Sequence, residues 1–116
     1  MPQRTLRIEE QGSAHAGYRI LRLEGALVIT TLSEFFDLVR ADASRALIID
    51  FTEVAYVDSA GIGALVAAYV NRQNSDRTLA LVGVNERIRS ALRVAWVEQL
   101  FRFFDSVQDA EAATPA

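Results

Sequence analysis

The sequence contains no cysteine and no lysine, and His15 is its only histidine. Disulfide bonds, thiolate catalysis and cysteine-ligated metal sites are therefore excluded, as are a Schiff base on lysine and the lysine of a phosphate-binding P-loop. A serine–histidine pair would have to use His15, which lies in a stretch of small residues, 12–17, where chance surface placement is the simpler interpretation. We therefore expect no catalytic residues, no cofactor and no bound metal.

Long apolar runs and clustered positive charge are also missing. No run approaches the ~18 apolar residues that cross a bilayer, and the N-terminus lacks the apolar core of a signal peptide. The net charge is −3, and the 12 basic residues are scattered apart from Arg87, Arg89 and Arg93, which we interpret as a solvated helix face. These features predict a soluble, cytoplasmic protein that neither inserts into a membrane nor binds nucleic acid.

The residues that are present predict one domain, residues 1–116, with a frayed tail at about 113–116. Strand-like segments alternate with helix-like segments, which indicates parallel βαβ units and an α/β fold. Strands are predicted near residues 5–9, 18–24, 46–51, 78–82 and 100–104. The core is expected to contain Ile48, Phe51, Leu65, Val66, Leu81 and Leu92, and a helical apolar stripe is predicted at Ile62, Leu65, Val66, Tyr69 and Val70.

Local signals place the ends of these elements. Thr31 and Glu34 have the spacing of a capping box, so a helix is expected to begin there. Gly25 predicts a turn after the second strand, and residues 71–77 predict a polar turn after the second helix. Trp96 is expected to be half-buried at the end of the third helix, whereas an exposed Trp there would indicate a contact surface.

The segment Asp58-Ser59-Ala60-Gly61-Ile62-Gly63 stands out because it opens the second helix with two glycines. Glycine costs a helix interior about 1 kcal/mol relative to alanine, so these two serve either close helix–sheet packing or a flat ridge that a partner's backbone can approach. Asp58 is predicted to cap the helix, with or without a second role. Ser59 is expected to lie exposed at the helix start, where free N–H groups favour an anion such as a phosphate; the alternative is an unmodified serine.

From Leu47 through Leu100 the chain resembles the STAS domain, shared by sulphate transporters and bacterial anti-sigma-factor antagonists. Stand-alone bacterial members carry Asp-Ser-(Ser/Thr/Ala)-Gly-(Leu/Ile)-Gly, in which an anti-sigma factor with serine-kinase activity phosphorylates the serine. The resemblance implies that Ser59 is the phosphate acceptor. It also implies a single α/β domain with a mixed, mostly parallel sheet of four to five strands and helices mainly on one side. The implied partner-binding residues are Asp58, Ser59, Ala60, Gly61, Ile62 and Gly63.

Two positions differ from the family pattern. The family often carries Gly-Glu-Leu-Asp after the second strand, where this chain has Gly25-Ala26-Leu27-Val28, and Ala60 replaces the common second hydroxyl. The leading hypothesis is a non-enzymatic module of bacterial transcription regulation, which binds an anti-sigma factor kinase until Ser59 is phosphorylated. The alternatives are a scaffold subunit of a signalling assembly, with a possible homodimer, and a subunit of a membrane-transport ATPase complex.

Overall fold

Strands and helices alternate through residues 5–113, which are those that the computed structural model describes. The predicted order of elements is confirmed, and of the predicted tail only Ala113 lies within the described residues. The elements are β1 (Leu6–Gly12), β2 (Tyr18–Leu27), α1 (Leu32–Ala41), β3 (Ala46–Val57), α2 (Ser59–Asn74), β4 (Thr78–Val82), α3 (Glu86–Val94), a 3-10 helix (Glu98–Leu100), β5 (Arg102–Phe104) and α4 (Val107–Ala113).

The five strands form one sheet in the order β1-β2-β3-β4-β5. β1 runs antiparallel to β2, and the other neighbouring pairs are parallel. The run Ala46-Leu47-Ile48-Ile49 forms the centre of the sheet, and each of its side chains is at most 1% exposed. A continuous apolar run suits this strand because both of its faces are covered. The predicted mixed, mostly parallel α/β fold is thus confirmed.

Two hydrophobic layers flank the sheet. The larger layer joins α1, α2 and α3 to one face, and a smaller cluster packs Ala110 of α4 against Ile48 and Val82 on the other. Five of the six predicted core residues are buried, whereas Val66 is half-buried and packs against the larger layer. Helices therefore lie mainly on one side, as predicted.

The buried face of α2 is rotated from the predicted stripe. Val70, predicted to be in the core, is 46% exposed. The face that packs on the sheet is built mostly from small residues, which allow the helix axis to approach the sheet closely. Its members are Gly61, Ala64, Leu65, Ala68 and Arg72.

The turn predicted at Gly25 and the capping box are wrong, and the turn predicted at residues 71–77 is confined to residues 75–76. Gly25 lies inside β2 at an irregularity in its register with β3, where its φ of 122° and a carbonyl oxygen of Thr5 leave no room for a side chain. The predicted turn at residues 71–77 is largely helical, since α2 continues to Asn74. The Thr31 hydroxyl makes no cap on α1; it donates to the Ala26 carbonyl and accepts from the Val28 N–H, so it closes the β2–α1 loop instead.

A buried arginine fastens the far end of α2. The Arg72 side chain is 1% exposed, and its Nη1 lies 2.9 Å from Oδ2 of Asp42. It also donates to the Thr78 carbonyl from Nε at 3.1 Å and to the Ser44 carbonyl from Nη2 at 2.9 Å. Burial lowers the pKa of Arg72 from its ordinary value, and the Asp42 carboxylate opposes that shift. One side chain thereby joins α2, the α1–β3 loop and the start of β4.

We expect Arg72→Ala to lower the free energy of unfolding by about 3–5 kcal/mol, because it leaves the Asp42 carboxylate buried without its partner. Arg40→Ala removes the same charge from the exposed face of α1 and should change stability by no more than about 0.5 kcal/mol. Urea unfolding followed by circular dichroism measures both. Equal losses for the two variants would show that the buried pair does not hold α2.

Candidate functional site

The sequence motif lies where two parallel strands end side by side. Leu27 at the end of β2 pairs with Val57 at the end of β3. Asp58 follows as the N-cap of α2, with an extended backbone at φ −89° and ψ −176°. The carboxyl end of a parallel sheet is a common place for binding groups, because loops from neighbouring strands meet there.

Asp58 holds two backbone segments together. Its Oδ1 accepts a hydrogen bond from the Gly61 N–H at 2.8 Å, which confirms the predicted cap. Its Oδ2 accepts from the Ile29 N–H at 3.1 Å, a contact across 29 positions that sequence reasoning did not anticipate. One carboxylate thus fixes the β2–α1 loop against the start of α2.

Ser59 is exposed and is the first residue of α2, as predicted. Within residues 5–113 its hydroxyl makes no hydrogen bond. Asp58 occupies the Gly61 N–H with its side chain and the Ile62 N–H with its carbonyl. The N–H groups of Ser59 and Ala60 therefore remain available at the positive end of the helix.

The two glycines have different surroundings. A Cβ on Gly61 would lie 2.1 Å from the Leu27 carbonyl oxygen and 2.7 Å from Cγ1 of Val57, so only glycine lets α2 approach the end of β2. A Cβ on Gly63 would meet no atom within 4 Å. Close packing therefore accounts for Gly61, whereas Gly63 leaves an open, exposed surface one turn beyond Ser59.

The β2–α1 loop presents an apolar side chain next to this surface. Ala26 and Val28, which replace the two acidic residues of the family pattern, are 9% and 4% exposed. The following residue, Ile29, is 68% exposed, and its N–H is the one that Asp58 binds. Sequence reasoning missed Ile29 because Val28-Ile29 has the apolar character of a buried segment.

Trp96 differs from its sequence prediction. It is 83% exposed and has a left-handed backbone at φ 62°. Its N–H donates to the Arg93 carbonyl and the Val97 N–H donates to the Leu92 carbonyl, the pattern with which a left-handed residue ends a helix. This geometry turns the indole away from the core. Asn85 caps the opposite end of α3 and donates to the Val54 carbonyl of β3. Trp96 therefore lies at the end of α3 that faces away from the carboxyl end of β3.

The arginine cluster of α3 is balanced by nearby groups. Nε of Arg89 lies 2.9 Å from the Glu98 carboxylate, and Nη2 of Arg93 lies 3.2 Å from it. The Arg89 hydrogen bond lowers the pKa of Glu98, and the Glu98 hydrogen bond raises the pKa of Arg93. The Arg87 guanidinium lies 5.1 Å from the centre of the Tyr56 ring. These contacts agree with a solvated helix face.

The remaining candidates lie apart from this edge. His15 is exposed in the β1–β2 loop and stacks on Tyr18. In the described part of the chain no three His, Asp or Glu side chains are grouped as metal ligands. Among residues 5–113, no helix combines the length and apolar character needed to span a bilayer.

Known proteins resemble most of the chain. The family model described as STAS domain matches residues 6–110. An anti-sigma-B factor antagonist from Listeria monocytogenes is 26% identical over 84 residues, which cover 72% of this chain and 74% of that protein. An anti-sigma factor antagonist from Mycobacterium paratuberculosis has a similar structure, with a TM-score of 0.77, 20% identity and coverage of 93% and 92%. The murine anion transporter Slc26a9 gives a TM-score of 0.77 at 18% identity, over 95% of this chain and 22% of the transporter.

We expect Gly61→Ala and Gly63→Ala to change stability in opposite directions. The methyl group of the first collides with the Leu27 carbonyl, so the free energy of unfolding should fall by about 1–3 kcal/mol. The second enters open space in a helix and should raise it by up to about 1 kcal/mol. Urea unfolding of both variants is the measurement, and a Gly61→Ala variant as stable as Gly63→Ala would exclude the close approach.

Proposed function

Since the chain belongs to the STAS domain family, we propose that it is an anti-sigma-factor antagonist that binds an anti-sigma factor with serine-kinase activity. The observation that carries the proposal is the exposed Ser59 hydroxyl, free of hydrogen bonds within residues 5–113, at the start of α2. The match to an anti-sigma-B factor antagonist over 74% of that protein's length supports it. The protein acts while Ser59 is unphosphorylated, and phosphorylation switches it off.

The proposed binding surface combines one hydroxyl with apolar and flat positions. Ser59 and Gly63 are exposed on α2, Ile62 is half-buried between them, and Ile29 projects from the neighbouring loop. Asp58 fixes the relative position of loop and helix through its two hydrogen bonds. Such a surface fits a partner that covers apolar area and brings its own backbone close to Gly63. Ala60 borders it, and Gly61 supports it from beneath.

A phosphate on Ser59 changes this surface without changing the fold. It adds about −1.5 to −2 charges at neutral pH, and the available N–H groups of Ser59 and Ala60 stabilise it only modestly at an exposed helix end. The Asp58 carboxylate beside it opposes the added charge. An interface formed around the neutral hydroxyl would have to desolvate a dianion, and a loss of about 3–4 kcal/mol already weakens binding by a few hundredfold or more.

The protein is proposed to be the substrate of the phosphotransfer and not an enzyme. The site offers one hydroxyl, and its one carboxylate is committed to backbone N–H groups. The only histidine of the chain, His15, lies in the β1–β2 loop and outside this site. The partner therefore supplies the nucleotide, the metal ion and the base, and the antagonist works in the cytoplasm, where an anti-sigma factor and ATP are both present.

We expect the cognate anti-sigma factor kinase, with ATP and magnesium, to add one phosphate, at Ser59. Ser59→Ala should abolish labelling and keep binding, because helix and loop remain in place. Ser59→Asp should weaken binding, although less than the phosphate does, since it carries one charge. Mass spectrometry of the labelled peptide and titration of each form with the kinase are the measurements.

Ser33 provides the matched control, because it is also exposed in the first turn of a helix, α1. Ser33→Ala should leave both labelling and binding unchanged. A phosphate at Ser33, or Ser59→Asp binding as tightly as the parent protein, would contradict the proposed switch.

We also expect Ile29→Arg to weaken binding to the unphosphorylated protein by about tenfold or more, because an apolar contact is replaced by a charge that must be desolvated. Val94→Arg makes the same change at a residue that is 77% exposed at the remote end of α3 and should leave affinity unchanged. Isothermal titration of both variants with the anti-sigma factor distinguishes them. If both variants lower the affinity equally, the loss comes from the added positive charge and not from a contact at Ile29, and the prediction is wrong.

A further inference from the structure

One edge of the sheet has a free hydrogen-bonding side. Among residues 5–113, β1 has β2 as its only neighbouring strand, and its register with β2 is regular from Leu6 to Gly12. It contains no proline and no bulge, two devices that commonly prevent an edge strand from pairing with another chain. Its unpaired backbone groups therefore form a continuous template.

The register shows which groups face outward. The Ala26 N–H donates to the Thr5 carbonyl, and the same register continues through Arg7 opposite Glu24 and Glu9 opposite Arg22. Because hydrogen-bonded and outward-facing residues alternate in an antiparallel pair, the N–H and C=O groups of Leu6, Ile8 and Glu10 point away from β2. No other segment within residues 5–113 donates to or accepts from these groups.

The charged side chains of this edge lie together on the outer face. Leu6 and Ile8 pack against the larger core layer, so the alternation of a strand places Arg7 and Glu9 on the opposite face. Both are exposed. On β2, Glu24 faces Arg7 and Arg22 faces Glu9, so each pair joins opposite charges.

We propose that β1 pairs with β1 of a second copy of this chain, antiparallel and centred on Ile8. In this register Ile8 faces Ile8, and Leu6 and Glu10 face each other, so the outward-facing groups make about six main-chain hydrogen bonds. Arg7 then faces Glu9 of the second copy, and Glu9 faces its Arg7. Both are non-hydrogen-bonded pairs, in which side chains lie closest.

Charge complementarity selects this arrangement. Across the four strands, the facing side chains alternate in charge: Glu24 and Arg7 of one copy, then Glu9 and Arg22 of the second copy. The two-fold axis generates the same series of charges in the opposite direction. The charges that would repel a strand of another sequence thus pair with an identical strand, and the two sheets join into one of ten strands. β1 contains none of the residues of the Ser59 surface, so the proposal does not depend on the function proposed above.

Sedimentation of the full chain over a concentration series tests the charge pairing. The unmodified protein should dimerise, and Arg7→Glu or Glu9→Arg should each weaken the dimer by about tenfold, because two attractive pairs become repulsive. An equimolar mixture of the two variants should recover the dimer, since each chain then supplies the charge that the other needs. Arg40→Glu, the same change on the exposed face of α1, should have no effect.

Cross-linking tests the register, using the absence of native cysteine. Arg7→Cys mixed with Glu9→Cys should form a disulfide between unlike chains, because facing residues lie about 4.5 Å apart at Cα. Arg7→Cys alone, or mixed with Gln11→Cys, should cross-link far less. A monomer at every concentration, a mixture that fails to recover the dimer, or cross-linking independent of position would overturn the proposal.

Discussion

The arrangement at the candidate site depends on one carboxylate and one missing side chain. Asp58 accepts the N–H groups of Gly61 and Ile29, and Gly61 lets α2 lie against the Leu27 carbonyl. Without the carboxylate, the Ile29 N–H and the start of α2 lose their shared acceptor; without the glycine, the helix cannot lie this close to β2. Asp58 and Gly61 both contact the end of β2 or the loop that follows it. Ser59, the first residue of the helix, lies between them in the sequence and remains exposed.

The other end of α2 is fixed by a different interaction. Arg72 joins the helix to the Asp42 carboxylate and to the carbonyls of Ser44 and Thr78. A helix held at both ends by polar side chains, one of them buried, has little freedom to shift when its first residue is modified. The switch proposed at Ser59 would therefore act by changing what the surface presents to a partner.

The sequence predicted the order of elements and the role of Asp58 because both depend on local patterns, apolar periodicity and a capping residue before a helix. It failed where a residue's role is set by a distant segment. Gly25 resembles a turn residue, yet the approach of Thr5 explains it; Arg72 resembles a solvated residue, yet a buried carboxylate and two carbonyls enclose it. Ile29 and Trp96 were missed for the opposite reason: apolar side chains are expected inside, and backbone geometry holds these outside.

The charge around the site shows how phosphorylation would act. The two segments that build it, residues 23–39 and 46–71, contain acidic residues and no arginine. A phosphate often orders a protein by pairing with its own arginines, and these segments offer none. Added charge at Ser59 would therefore find no arginine within these two segments, and it would remain on the surface, where it meets a bound partner. In this chain the effect of phosphorylation would be decided at the interface, by the groups that the partner brings to the hydroxyl.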